Sequence, residues 1–185
     1  MTTGIELGRP ESGDVIELIS DDHRRFEQLL SRLRQATADR DAARHAFANM
    51  LIAHGEAEEE LVYPVLRRRA DDVGEHEVEH GEHEHAEGNQ ALLALLELKG
   101  TQTPSFDDAL EEVSNLIAHH IAEEELSILK PAREEVSEKV RLELGAQWAA
   151  RRNELIDENC GAIENVRRIV AAAEKDGLLE DSEES

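Results

Sequence analysis

The feature that most constrains this chain is an internal repeat. Leu51-Ile52-Ala53-His54 and Ala57-Glu58-Glu59-Glu60-Leu61 recur as Leu116-Ile117-Ala118-His119 and Ala122-Glu123-Glu124-Glu125-Leu126. Both copies sit in stretches where apolar residues return every three or four positions, the period of a helix with one buried face. A chain that uses such a helix twice, each time after another amphipathic helix, is expected to stack two helix pairs.

Apolar spacing marks four such segments. The first, over 14–34, carries Ile16, Ile19, Phe26, Leu30 and Leu33 and has Ser12 or Asp14 as its cap. The second, over 41–69, should kink at Pro64. The third covers 76–98, with a His-rich first half and a leucine-rich second half. The fourth covers 106–129 and should be closed by Pro131. Sustained strand alternation is absent, so the expected fold is all-α: an up-down-up-down four-helix bundle over 14–132. One or two additional C-terminal helices are expected within 133–176, interrupted at Gly145, and an acidic disordered tail over 177–185.

Helical phase places a histidine inside each segment. The core positions one and two turns from His54 are Phe47, Met50, Leu51 and Val62. The same steps from His120 reach Val113, Leu116, Ile117 and Ile128, whereas from His119 they reach Glu112, Asn115, Leu116 and Ser127. Phase therefore favours His120 with Glu124, one turn on, as the partners of His54 with Glu58. Literal identity of the repeat keeps His119 with Glu123 as the alternative. His23, among Ile16, Ile19, Phe26 and Leu30, pairs with His85, among Val78, Gly81, Gly88 and Leu92.

Two carboxylates in an aliphatic core cost roughly several kcal/mol each unless cations neutralise them. A cation pair removes that conflict. The chain has one cysteine, Cys160, so no thiolate cluster is available and the ligands must be N and O donors. Imidazole with carboxylate suits iron, manganese or zinc and argues against calcium. The formal charge of −23, from 43 acidic and 20 basic residues, repels phosphate backbones and anionic lipid, so neither nucleic acid nor membrane is an expected partner. The longest apolar stretch, 91–98, is too short to span a bilayer and the N-terminus reads as no leader, so a cytoplasmic protein is expected.

At these residues the sequence resembles the hemerythrin-like, or HHE cation-binding, domains. The resemblance rests on Asp22-His23-Arg24-Arg25-Phe26-Glu27, on His54-Gly55-Glu56-Ala57-Glu58 through Tyr63-Pro64, on Glu84-His85, and on His120-Ile121-Ala122-Glu123-Glu124. It implies two iron ions held by His23, His54, His85 and His120, with Glu58 and Glu124 as bridging carboxylates and an oxo, hydroxo or water bridge. Oxygen-carrying members use HxxxH on the third helix, and here that position is Gly81. The resemblance is to the branch with four His and two Glu, which implies open positions for peroxide, nitric oxide or dioxygen.

The remaining candidates read more plainly. His76, His80 and His83 share a face turned from the leucine side, a solvated face with a weak surface metal site as the alternative. His45 is expected to be exposed and Cys160 to be structural; Tyr63 is expected to be packing off the ligand face, with a role near the metals as the alternative if Pro64 distorts that turn. In each Glu-Glu-Glu run only the ligand-phase residue should matter. The leading functional expectation is a non-haem di-iron protein that reacts with or senses a small oxidant. The alternative is an iron-responsive structural or signalling module whose metal loading controls stability and contact with an unidentified protein partner. A metal-free interaction protein leaves six buried polar groups unexplained.

Overall fold

The computed structural model describes residues 5–35, 37, 39–71 and 73–179, and among these no strand occurs. Eight helices follow one another: α1 Val15–Arg34, α2 Arg40–Ala57, α3 Tyr63–Arg69, α4 Glu75–Glu97, α5 Pro104–Glu124, α6 Lys130–Glu135, α7 Glu138–Asp157 and α8 Ile163–Lys175. The four long helices α1, α2, α4 and α5 make the expected bundle, with α1 packed on α2 and α4 on α5. Helix α7 lies against α1 and α2, and α8 against α4. Asp14 caps α1 by accepting the Ile16 amide at 3.0 Å.

Two π-helical turns, Glu58–Val62 and Glu125–Leu129, carry α2 into α3 and α5 into α6. Each starts within a Glu-Glu-Glu run, at Glu58 in one and Glu125 in the other, and ends just ahead of a proline, Pro64 or Pro131. A proline lacks the amide donor and crowds the carbonyl one turn back, and the wider π turn gives that carbonyl room. Pro131 therefore does not close the fourth segment, which runs on to Glu135.

The break expected at Gly145 is also absent, because α7 continues through it. Its role is close approach: a Cβ there would stand 2.0 Å from the Gly13 carbonyl oxygen and 3.0 Å from the Val15 amide nitrogen. Only a residue without a side chain lets α7 lie on the entry to α1. Of the tail expected to be disordered from Gly177, residues 177–179 are instead ordered, because Leu179 finds apolar cover and is buried in the core. Residues 180–185 lie outside the described residues.

The apolar interior falls into two clusters. Phe26, Leu30, Phe47, Leu51, Leu92 and Ile117 belong to one, and Ile19, Val62, Leu66, Ile128 and Trp148 to the other. Along α1, His23 stands between Ile19 of one cluster and Phe26 of the other. The polar layer is thus sandwiched between two dry ones.

Candidate metal centre

All six residues singled out by phase meet in that layer. His23 comes from α1, His54 from α2, His85 from α4 and His120 from α5. Glu58 opens the first π turn and Glu124 closes α5. Every one of them is buried, Glu58 completely at 0% exposure. Two groups have donor atoms within 4.8 Å of one another: His23, His54 and Glu124, and Glu58, His85 and His120. Glu58 reaches both groups, with Oε1 3.1 Å from His54 Nε2 and Oε2 3.4 Å from His85 Nε2. Glu124 Oε2 lies 3.1 Å from His23 Nε2 and 3.6 Å from His120 Nε2. His119, by contrast, is 63% exposed. His120 and Glu124, not His119 and Glu123, are the pair brought inward.

The donor set fits metal ions. His23 Nε2, His54 Nε2, both Glu58 oxygens and Glu124 Oε2 are buried without hydrogen-bond partners, and all face the same interior. Buried polar atoms are normally satisfied, so five orphans aimed at one another leave places for cations. Imidazole and carboxylate together match iron, manganese or zinc.

A second ring of carboxylates holds the outer nitrogen of every histidine. His54 Nδ1 faces Asp22 Oδ2 at 3.4 Å, His85 Nδ1 donates to Glu59 at 2.7 Å, His23 Nδ1 to Glu125 at 2.9 Å, and His120 Nδ1 to Glu84 at 3.0 Å. A proton held at Nδ1 leaves the Nε2 lone pair pointing inward, the tautomer a metal needs. The arrangement follows the repeat. Asp22 and Glu84 precede the histidines of α1 and α4 and serve those of α2 and α5. Glu59 and Glu125 follow the inward glutamates and serve those of α4 and α1. The expectation that only one glutamate per run matters is therefore corrected: the π turns swing Glu59 and Glu125 toward neighbouring helices.

Charge is distributed accordingly. Burial opposes a proton on His23, but Glu124 and Glu125 outweigh it and push its pKa up to about 10. Burial likewise opposes charge on His85, where Glu58 and Glu59 prevail and raise it well above the usual imidazole range. His120 is lowered, by burial and then by the charge on His85, whose Nε2 lies 3.1 Å from its own. For Asp22, burial raises the pKa but His54 and Arg152 bring it below the ordinary carboxylate value.

Three contributors lie outside the expected ligand set, and of these only Tyr63 had a role near the metals as its alternative. Tyr63 is not off the site: its hydroxyl donates to Glu124 Oε1 at 2.9 Å and its ring stacks on His85 at 5.7 Å. The first π turn rotates it there, which counting at 3.6 residues per turn misses. A Cβ on Gly81 would lie 3.0 Å from the Tyr63 hydroxyl, so the phenol fills the space of the absent fifth histidine. Arg152, from α7, is fully buried and grips Asp22 through Nε at 2.5 Å and Nη2 at 2.9 Å. Trp148 meets the His54 ring edge-on at 5.7 Å. No local pattern announces a partner that far along the chain. The carboxylates beside His23, His85, Glu58 and Glu124 were the one signal available.

Beside the centre lies a cavity of about 10 Å³, lined by residues including Gly55, Glu84, His85, Gly88 and His120. The histidine face on α4 divides: His83 Nδ1 donates to the Leu178 carbonyl at 2.9 Å, while His80 turns toward Glu84. His76, His80 and His83 thus form no common cluster. His45 is exposed and 3.7 Å from Asp41. Cys160 is buried, its thiol pushed up to about 12 by burial and by Glu56.

The model of the hemerythrin HHE cation-binding domain matches residues 14–132. A DNA nickase from Nostoc sp. (strain PCC 7120) is 27% identical over 139 residues, 74% of this chain but 37% of its own length. The crystal structure of a hemerythrin HHE cation-binding domain-containing protein from Mycobacterium kansasii superposes with a TM-score of 0.69 at 22% identity, covering 87% of this chain and 96% of that one.

Proposed function

Because the chain belongs to the hemerythrin HHE cation-binding family, we propose that it is a non-haem di-iron protein that reacts with or senses a small oxidant. The observation that carries this reading is the pair of buried His/Glu groups in which His23 Nε2, His54 Nε2, both Glu58 oxygens and Glu124 Oε2 face inward without a hydrogen-bond partner. His23 and His54 would hold one ion, His85 and His120 the other, with Glu58 and Glu124 shared between them. Bound iron supplies electrons and Lewis acidity to peroxide, nitric oxide or dioxygen.

The protein's own part is to position and to exclude. Asp22, Glu59, Glu84 and Glu125 fix the four imidazoles, and the two apolar clusters keep bulk water out. The cavity of about 10 Å³ beside His85 and His120 is close to the space a single water needs. Tyr63 keeps a proton at Glu124, since burial and then the Glu124 and Glu58 charges raise its pKa well above that of free tyrosine. A phenol in the fifth-ligand space favours peroxide or nitric oxide chemistry over reversible dioxygen carriage. A cytoplasmic location belongs to the same reading; among the described residues no helix is long and apolar enough to cross a membrane.

One observation favours the alternative of an iron-responsive module: Arg152 and Trp148 tie α7 directly to the centre, so loading would be felt by the C-terminal helices. The nickase activity named for the Nostoc protein is not carried over, because a charge of −23 repels a phosphate backbone.

Elemental analysis of protein made with ample iron, followed by a peroxide assay, tests the proposal. Close to two irons per chain and repeated turnover are expected. Less than about half an ion per chain would sink the di-iron reading. Full loading with no turnover, but a large gain in thermal stability, would select the module instead.

A further inference from the structure

We propose that His80, Glu84 and His119 form a separate site at the rim of the bundle for a divalent transition-metal ion of the zinc class. His80 and Glu84 stand one turn apart on α4, and His119 faces them from α5. Their ligand atoms lie within 4.8 Å of one another. The Glu84 side chain is itself buried, its Oε2 accepts the His120 Nδ1–H, and its Oε1 is buried with no hydrogen-bond partner. That orphan oxygen points between two imidazoles, 3.5 Å from His80 Nε2 and 3.4 Å from His119 Nε2.

Those separations are longer than the 2.7 to 3.0 Å found for three of the carboxylate–imidazole pairs around the centre. Two ligands on one tetrahedral zinc ion stand about 3.3 Å apart, so the spacing lets a single ion reach all three groups. Two imidazoles and one carboxylate suit zinc and its neighbours, and exclude calcium and magnesium, which seek oxygen. Both imidazoles are more than half exposed, so solvent reaches the site and water completes the coordination.

The opposite side of the molecule shows what the ion would do. Asp22 holds His54 as Glu84 holds His120, and Asp22 has the guanidinium of Arg152 as its buried counter-cation. Among the described residues Glu84 is ion-paired with imidazoles alone. The rim ion takes the place of Arg152. Through the shared carboxylate it steadies His120 from outside, whatever the buried centre holds.

The test compares zinc binding by equilibrium dialysis in the natural chain and in His80→Ala/His119→Ala. Both side chains project into solvent, so the variant should fold. The variant is expected to bind one zinc fewer per chain, regardless of how many ions the buried residues take, so failure here is distinct from failure of the di-iron reading. Each single substitution should weaken that last equivalent at least about 10-fold. In the zinc-loaded chain the imidazole resonances of His80 and His119 should shift together with it. Equal stoichiometry in both proteins, or the same loss in His76→Ala, would overturn the proposal.

Discussion

Asp22 and Glu84 stand in equivalent places of the repeat, each one residue before a histidine of the centre and each supporting a histidine on the next helix. Their surroundings differ. Asp22 is sealed under α7, which contributes the Arg152 guanidinium and the Trp148 ring. Glu84 looks out between His80 and His119 at the surface, and the small cavity lies on its side. The repeat thus builds two matching halves, and helix α7 seals one while the other stays accessible. Symmetry supplies the ligands; its breaking supplies a way in.

The largest effect expected from this contrast is on stability. Arg152→Leu leaves Asp22 buried without its cation and should cost about 3–5 kcal/mol, whereas Glu84→Gln, which keeps an acceptor for His120, should cost about 1 kcal/mol. Denaturant unfolding of the metal-free proteins measures both, and equal costs would show that the two halves are energetically alike.

Next comes metal retention. His120→Ala should weaken the buried centre at least about 10-fold, and His119→Ala should leave it intact while loosening only the rim. The reverse outcome would mean that the literal repeat, rather than the buried register, chooses the ligand.

Protons sharpen the contrast within each half. His23 and His85 are raised while His120 is lowered. Loading at neutral pH should therefore expel about two protons per chain, and affinity should fall as pH falls. In the metal-free chain the stabilisation from the raised His23 is fully present below about pH 6.5 and is lost as pH rises through about 10. Calorimetry in two buffers of different ionisation enthalpy reads the release; none at all would contradict the protonated pair.

The smallest effect concerns Tyr63. Tyr63→Phe removes one hydrogen bond to Glu124, about 1 kcal/mol in the metal-free chain. Gly81→His alone should clash with the phenol and fold less stably, whereas Gly81→His with Tyr63→Ala has room for a fifth imidazole. A longer-lived oxygenated species in the double variant only is the expected spectroscopic result.

Periodicity made the bundle legible, and phase made His23, His54, His85 and His120 legible, because up to Glu58 and Glu124 the helices are regular. Beyond those residues the π turns insert a residue's worth of rotation, so Tyr63, Glu59 and Glu125 escaped a count based on 3.6. Pro131 misled for the same reason. Arg152 was hidden differently: its partner lies 130 residues away, and pairing over that distance leaves no local trace. Gly145 looked like a helix weakness because the backbone it admits belongs to another part of the chain.

The grip of Arg152 extends past Asp22, since its guanidinium also donates to the carbonyls of Leu7 and Gly8 while Asn153 donates to that of Pro10. The strand of chain before α1 is thereby strapped over the buried carboxylate by a helix that leaves the ribosome much later. His120 meets Glu84 within 36 residues of chain, but Asp22 waits 130 for its cation. All six inward residues have therefore been synthesised before the cation that covers Asp22, which arrives only with α7.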